Sequence, residues 1–248
     1  MPDLTQLLKV VWVCRYQPGW DRERAQRYWR THHAGMGRRV AATMPWYLQN
    51  HLVETIGPRG VTGDRTPGAD GFSVCWFDDP EGFERCIRSP EMLAMDEDAL
   101  RVFDVSDIQS GWAARLEETV TAHVDTPEEE LFKVAWIGRY APGRDRDEAH
   151  AAWVGGHREL LDAVPGLLRH AQNHAAEAIG PDGFAPDLPL AFDGIAELWF
   201  RDRPSYAAAM ASPAWQAVLD DASTLFDLGP MWDGGYAGVV DHLWINWR

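Results

Sequence analysis

The sequence of 248 residues predicts an α+β fold built from two copies of one unit with the element order βαββαβ. Three observations support this prediction: an internal repeat across most of the chain, the same order of elements in each copy, and strands that are apolar on both faces. We place the copies at residues 1–124 and 125–248. We expect them to close a single pseudo-twofold barrel with the sheets inside and the helices outside.

The repeat is clearest at the start of each copy. Residues 9–25 and 133–149 are identical at 10 of 17 positions, and both ranges include Arg-Tyr followed by Pro-Gly. A Trp-x-x-x-His motif follows in each copy, and after the loss of one residue a Gln-Asn-His motif aligns as well. Agreement over this length indicates a duplication.

Each copy shows the same signals for its elements. Strands near 7–16 and 131–140 end at Pro-Gly turns, and Asp21 and Asp145 are placed to cap helices over 22–42 and 146–163. Further strands are predicted at 46–56, 71–78 and 116–124, and in the second copy at 167–179, 193–201 and 239–247. Ser89-Pro90 and Ser212-Pro213 open the second helix of each copy. This order is that of the ferredoxin-like unit.

The first strand shows why one copy is not enough. Val11 and Val13 point to one face, whereas Val10 and Trp12 point to the other. The two helices of one copy cover only one face of its sheet. The second sheet must therefore cover the other face.

Composition excludes several classes of function. The net charge of −15 disfavours nucleic-acid binding, and no basic cluster suggests an anionic membrane surface. The three cysteines have no CxxC spacing, and neither a signal peptide nor a transmembrane run is evident, so we expect a cytoplasmic protein. The 13 tryptophans suit either a thick core or an aromatic ligand pocket.

Histidines that occur in both copies are the candidate catalytic residues. His33 and His157 follow a tryptophan by four residues on a predicted helix, and His51 and His174 lie on the second strand. A partly buried histidine can exchange protons near neutral pH. Each of the four could equally be a structural residue that is hydrogen-bonded inside the fold.

The candidate substrate-binding residues also recur in both copies. Gln49 and Gln172 share a strand face with the second pair of histidines. An arginine could hold a carboxylate or an enolate, and a tyrosine could donate to a carbonyl. The remaining candidates of this set are Arg15, Tyr16, Trp76, Arg139, Tyr140 and Trp199. We predict no metal site and no cofactor, because the histidines are dispersed and no phosphate-binding or HExxH motif is present.

These motifs resemble the EthD family of the dimeric α+β barrel superfamily, and the resemblance covers both halves. It implies a barrel that other members form by dimerisation and that this chain forms as a monomeric pseudo-dimer, with a homodimer as the alternative. The superfamily includes cofactor-free monooxygenases, polyketide cyclases, isomerases, dehydratases and haem-binding relatives, so the fold does not determine the reaction.

We expect a cofactor-free enzyme that performs proton transfer (dehydration, cyclisation or isomerisation) on a small apolar, carbonyl-bearing or polyketide-like metabolite. One alternative is a cofactor-independent monooxygenase of electron-rich aromatics. Another is a protein that binds a small apolar or aromatic molecule without catalysis. The two copies differ at Cys14 and Gly138, which suggests that their pockets are unequal.

Overall fold

The computed structural model describes residues 4–58, 60–62, 68–104, 106, 110–122 and 126–246. The predicted boundary between residues 124 and 125 lies outside the described residues and stays a prediction. None of the helices in the described ranges is both long and apolar enough to cross a membrane.

Eight strands of the described chain form a closed antiparallel barrel. The strands of the first half are β1 (Leu8–Cys14), β2 (Trp46–Gly57), β3 (Gly60–Val61), β4 (Gly71–Phe77) and β5 (Ala113–Ala122). Those of the second half are β6 (Phe132–Gly138), β7 (Leu167–Gly180), β8 (Gly183–Phe184), β9 (Gly194–Phe200) and β10 (Ala237–Asn246). The two-residue strands β3 and β8 pair antiparallel with the last residues of β2 and β7 and are not among the eight strands of the barrel. The ladders β5–β7 and β10–β2 join the halves and close the ring.

Helices cover the outside of the barrel. The first half has α1 (Arg22–Tyr28), α2 (Ala34–Arg39), α3 (Pro80–Ile87) and α4 (Pro90–Val102). The second half has α5 (Arg146–Ala152), α6 (Arg158–Asp162), α7 (Arg203–Met210), α8 (Pro213–Leu225) and α9 (Leu228–Asp233). The predicted caps Asp21 and Asp145 are confirmed, because each accepts a hydrogen bond from a backbone N–H of the following helix. Ser89-Pro90 and Ser212-Pro213 open helices as predicted, and the two serines cap them in the same way.

The structure differs from the predicted helices in two ways. The first helix of each copy is interrupted by a π-helical segment, Trp29–His33 and Trp153–His157. Helices α3 and α7 occupy residues for which no element was predicted. Asp79 and Asp202 cap these two helices, and each cap is followed closely by a proline within the first turn.

The strand faces divide as the alternation predicts. Val11 and Val13 pack in the barrel interior, whereas Val10 and Trp12 pack under the helices of the first half. The barrel interior therefore holds one core that both halves share, and each half has a further core between its sheet and its helices. The second kind of core contains the candidate sites.

Candidate active sites

Each half holds a histidine–aspartate pair between two of its helices. His33 Nδ1 lies 2.9 Å from Asp98 Oδ2, and His157 Nδ1 lies 2.8 Å from Asp221 Oδ2. A carboxylate can only accept hydrogen bonds, so Nδ1 of each histidine carries the proton. Nε2 of the neutral ring then holds a lone pair. Each pair is therefore arranged so that Nε2 can act as a base.

The surroundings keep both histidine rings neutral and the carboxylate of Asp98 charged. Burial lowers the pKa of His33 and of His157, and the bonded aspartates only partly offset it. Burial alone would raise the pKa of Asp98, but hydrogen bonds from Tyr28 and His33 outweigh it and lower that pKa. Neither aspartate was predicted from the sequence. The signal was present, because they coincide at the offset of 123 residues that aligns the Gln-Asn-His motifs.

The strand glutamines support the π-helical segments. Gln49 donates to the carbonyl of Trp29 at 3.2 Å, and Gln172 donates to that of Trp153 at 2.7 Å. Hydrogen bonding in a π-helical turn departs from the α-helical pattern, and these amides supply a partner from the adjacent strand. Both glutamines thus lie behind the tryptophans and position them; neither lines the cavity beside the histidine of its pair.

The two cavities beside the pairs differ in chemistry. That of the second half, about 60 Å³, is bordered by His157 and Gly138. Its walls are strongly aromatic, with Trp136, Trp153, Trp215, Phe226 and Trp232. That of the first half, about 80 Å³, is bordered by His33 and also has aromatic walls, but it adds polar groups. Its aromatic residues are Trp12, Trp29, Tyr47 and Phe103, and its polar residues are Cys14, Ser73, Asp96 and Asp104. The expectation of unequal pockets agrees with this difference.

The strand histidines lie outside both of these cavities. His51 Nε2 lies 3.1 Å from Gln49 Oε1, and its ring packs on Trp29. Burial, with nearby Arg30 and Arg22, lowers the pKa of His51 to about 2. This histidine is a buried neutral brace for the first half.

His174 has different partners. Its Nδ1 lies 3.1 Å from the Tyr140 hydroxyl, and its ring stacks on that of His150 at 3.8 Å. Burial, followed by the nearby His150, lowers the pKa of His174 to about 4. The equivalent contact of the first half, between Tyr16 and His51, is absent from the described hydrogen bonds, although Tyr16 stacks on Phe103 as Tyr140 stacks on Phe226.

The arginines that end the first strands also differ. Arg15 lies 3.9 Å from Asp104, whereas Arg139 borders another cavity, of about 190 Å³. The predicted candidates therefore do not form a single site. Of the predicted candidates, only His33 and His157 line the cavities beside the histidine–aspartate pairs.

Trp76 and Trp199 lie inside the barrel, on the opposite face of the sheet from the histidines. Lys9 Nζ lies 5.2 Å from the ring centroid of Trp76, and Lys133 Nζ lies 4.7 Å from that of Trp199. All four residues line a separate cavity of about 170 Å³. Both tryptophans therefore lie away from the cavities of His33 and His157 and cannot act beside these histidines.

No shared role was predicted from the sequence for the two interior lysines, Lys9 and Lys133. Lys9 donates to Asn173 at 2.6 Å, and Lys133 donates to Asn50 at 2.7 Å, so each lysine reaches the asparagine of the other half. Lys133 also pairs with Glu197 at 2.5 Å. Both lysines and both asparagines recur in the sequence repeat, which was the available signal. Among the described residues, no group of three or more His, Cys, Asp or Glu is placed to hold a metal ion.

Comparisons with known proteins agree with the duplicated barrel. The EthD domain model matches residues 17–106 and 141–229. The structure of an anthrone oxidase-like protein is similar with a TM-score of 0.59 and 15% identity, over 97% of this chain and 94% of that chain. A provisionally named monooxygenase of Fusobacterium nucleatum gives a TM-score of 0.50 and 10% identity, over 96% and 91%.

A shorter protein was also found to be similar. An ethyl tert-butyl ether D (EthD) family protein of Bacillus halodurans C-125 matches 46% of this chain and 95% of its own, with 17% identity and a TM-score of 0.31. No curated protein matches the sequence. At these identities the structural likenesses show the fold alone.

Proposed function

The chain belongs to the EthD family, and from this premise we propose that it is a cofactor-free enzyme of proton transfer. Its substrate would be a small, largely apolar, carbonyl-bearing or polyketide-like molecule. The reaction would be a dehydration, a cyclisation or an isomerisation, with His157 as the general base. The observation that carries the proposal is the His157–Asp221 pair at the wall of an aromatic cavity.

The geometry supports a simple mechanism. Nε2 of His157 would remove a proton from the carbon next to a carbonyl, and Asp221 would stabilise the imidazolium that forms. The same nitrogen would then return the proton to the rearranged carbon or to a departing hydroxyl. The aromatic walls would bind the apolar body of the substrate and keep water away from the base.

Substrate binding requires the cavity to widen. Its volume of about 60 Å³ is smaller than the roughly 150 Å³ that holds one benzene ring. Met231 lines the cavity, and an unbranched thioether side chain rearranges readily. We therefore place the widening at this residue.

Several differences favour the second half as the active one. Asp98 is bound by Tyr28 and also lies 3.4 Å from His32, and its side chain is only 3% exposed. The matching positions in the second half are Ala152 and Gly156, and the Asp221 side chain is 37% exposed. The first pair is thus built into the core, whereas the second retains access to solvent protons. We propose that the first half is mainly a scaffold.

Exchange at carbon tests the proposal directly. Wild-type protein in D₂O should exchange the α-protons of an aryl ketone, as followed by NMR. His157→Asn should lower this rate by about 100-fold or more. His33→Asn is the matched control and should leave the rate within about threefold of wild type. Equal rates for wild type and His157→Asn would contradict the assignment.

A second proposal is oxygen insertion into an electron-rich aromatic substrate. The aromatic cavity beside a base supports it, since removal of a proton from a phenol or an anthrone makes the ring more reactive toward oxygen. Oxygen uptake with such substrates distinguishes this reaction from the first. A binding protein without catalysis would show neither uptake nor exchange, and would retain its ligand after His157→Asn.

We further propose that each half is a ferredoxin-like unit and that one chain completes the barrel. The strand order within the halves, β5-β1-β4-β2 and β10-β6-β9-β7, supports the first statement. The ladders that join the halves support the second. Sedimentation at several concentrations distinguishes a monomer from a homodimer.

A further inference from the structure

The cavity beside Arg139 is a direct neighbour of the aromatic cavity that contains His157. The two spaces share Gly138 and Met231 as lining residues. The outer space measures about 190 Å³, compared with about 60 Å³ for the inner one. A single benzene ring needs roughly 150 Å³, so the outer space alone is large enough for one.

Glycine at position 138 keeps the boundary between the two spaces thin. A Cβ atom added there would lie 3.5 Å from Phe226 Cδ1 and 3.7 Å from Met231 Sδ, which is ordinary contact. A methyl group would therefore fit, while a longer side chain would occupy the boundary itself. The first half has Cys14 at the matching position. The second half thus has no side chain at this position between the outer space and the cavity of His157.

The outer space is lined by a stack of three aromatic rings and by a cation. The Trp112 ring stacks between Phe192, at 5.9 Å and 15°, and Tyr236, at 5.2 Å and 11°. Arg139 is exposed, and its guanidinium contacts only the Leu190 carbonyl, at 3.5 Å, among the described hydrogen bonds and ion pairs. Its counterpart Arg15 lies 3.9 Å from a carboxylate, that of Asp104. Arg139 therefore has donors available for a ligand.

We propose that Arg139 binds the carboxylate of an aromatic acid and that the stacked rings of Trp112, Phe192 and Tyr236 pack against its aromatic part. The rest of the ligand would then extend past Gly138 toward His157. This inference rests on the proposed function for the identity of the inner site, and it defines the substrate class as anionic. A guanidinium matches a carboxylate with two parallel hydrogen bonds, which gives preference for acids over neutral analogues. Asp227 lines the same space and opposes an anion, so its removal should strengthen binding.

Benzoate and methyl benzoate are suitable probes, because they differ mainly in charge. Isothermal titration of the full chain should show benzoate binding at least about 10-fold more tightly than the ester. Arg139→Gln should abolish this preference, and the matched variant Arg15→Gln should retain it. Asp227→Asn should increase benzoate affinity several-fold. Gly138→Cys, which copies the first half, should weaken both probes.

Three outcomes would overturn the inference: equal binding of both probes by wild type, no binding of either, or equal loss of the preference in Arg15→Gln and Arg139→Gln. Benzoate preference and proton exchange, both measured on wild-type protein, separate this inference from the proposed reaction. Retained benzoate preference together with no proton exchange in wild type would leave the acid site standing while the reaction fails. Exchange without any acid preference would do the reverse.

Discussion

His157 Nδ1 lies 2.8 Å from Asp221 Oδ2, and the equivalent atoms of His33 and Asp98 lie 2.9 Å apart. The same contact thus occurs in both halves of a duplicated chain. Its surroundings differ, since the cavity beside the first pair is also lined by the carboxyl groups of Asp96 and Asp104, whereas none of the described residues that line the cavity beside the second pair is acidic. The first half therefore serves as an internal control for the second.

Asp221→Asn should reduce turnover while leaving the fold intact. An amide can donate to Nδ1 and so favour the tautomer with its proton on Nε2, which removes the base. We expect a fall in kcat of about 100-fold or more, with little change in KM. Asp98→Asn is the control and should keep most of the activity. An unchanged kcat in Asp221→Asn would show that the aspartate does not set the tautomer.

The pH dependence of kcat/KM should report a base with a depressed pKa. Burial lowers the pKa of His157 below its ordinary value of 6.5. The neutral ring is the active form, so activity should be maximal above that pKa and fall on its acid side. The acid limb should therefore have its midpoint below pH 6.5. A midpoint above 6.5 would rule out His157 as the group that titrates.

Stability should fall as the pH drops from about 6.5 toward 4. Burial lowers the pKa of His174 and His242 to about 4, and that of His51 to about 2. In this window the unfolded chain binds protons on these rings and the folded chain does not, so protonation favours unfolding. Each ring contributes a loss of up to roughly 1.4 kcal/mol per pH unit.

Urea denaturation at pH 7, 6 and 5 measures this loss. His51→Gln removes one titrating group and keeps an amide near Gln49, so its slope against pH should be shallower than that of wild type. Identical slopes would mean that His51 is protonated in the folded state or is already shielded in the unfolded state.

Lys133→Met should strongly destabilise the barrel interior. Lys133 pairs with Glu197 and donates to Asn50, and its side chain is 1% exposed. Its loss leaves a buried carboxylate without its main cation, which typically costs about 3–5 kcal/mol. Denaturant titration gives the free energy of unfolding.

The double variant Lys133→Met with Glu197→Val should be more stable than Lys133→Met alone. Val74 occupies the position of Glu197 in the first half, so a valine is compatible with this site of the fold. No recovery in the double variant would show that the buried charge of Glu197 is not the source of the loss.

Much of the fold follows from local chemistry. The helix caps at Asp21 and Ser89, and the alternation of Val10 and Val11, depend on neighbours within a few residues and are visible in the sequence. The π-helical segments were not predicted, because they depend on contacts such as the bond from Gln172 to the Trp153 carbonyl. Spacing alone does not distinguish them from an α-helix.

The sequence by itself determined the duplication, the order of elements and the repeated histidines, because identity between the copies needs no knowledge of contacts. Only the tertiary structure decided which histidines meet a carboxylate, since the aspartates lie 64 or 65 residues away along the chain. It also placed Trp76 and Trp199 inside the barrel, away from those histidines. The physical reason is that a strand presents alternate side chains to two separate cores. The lysine network therefore lies in the core inside the barrel, and the paired histidines line cavities in the cores under the helices.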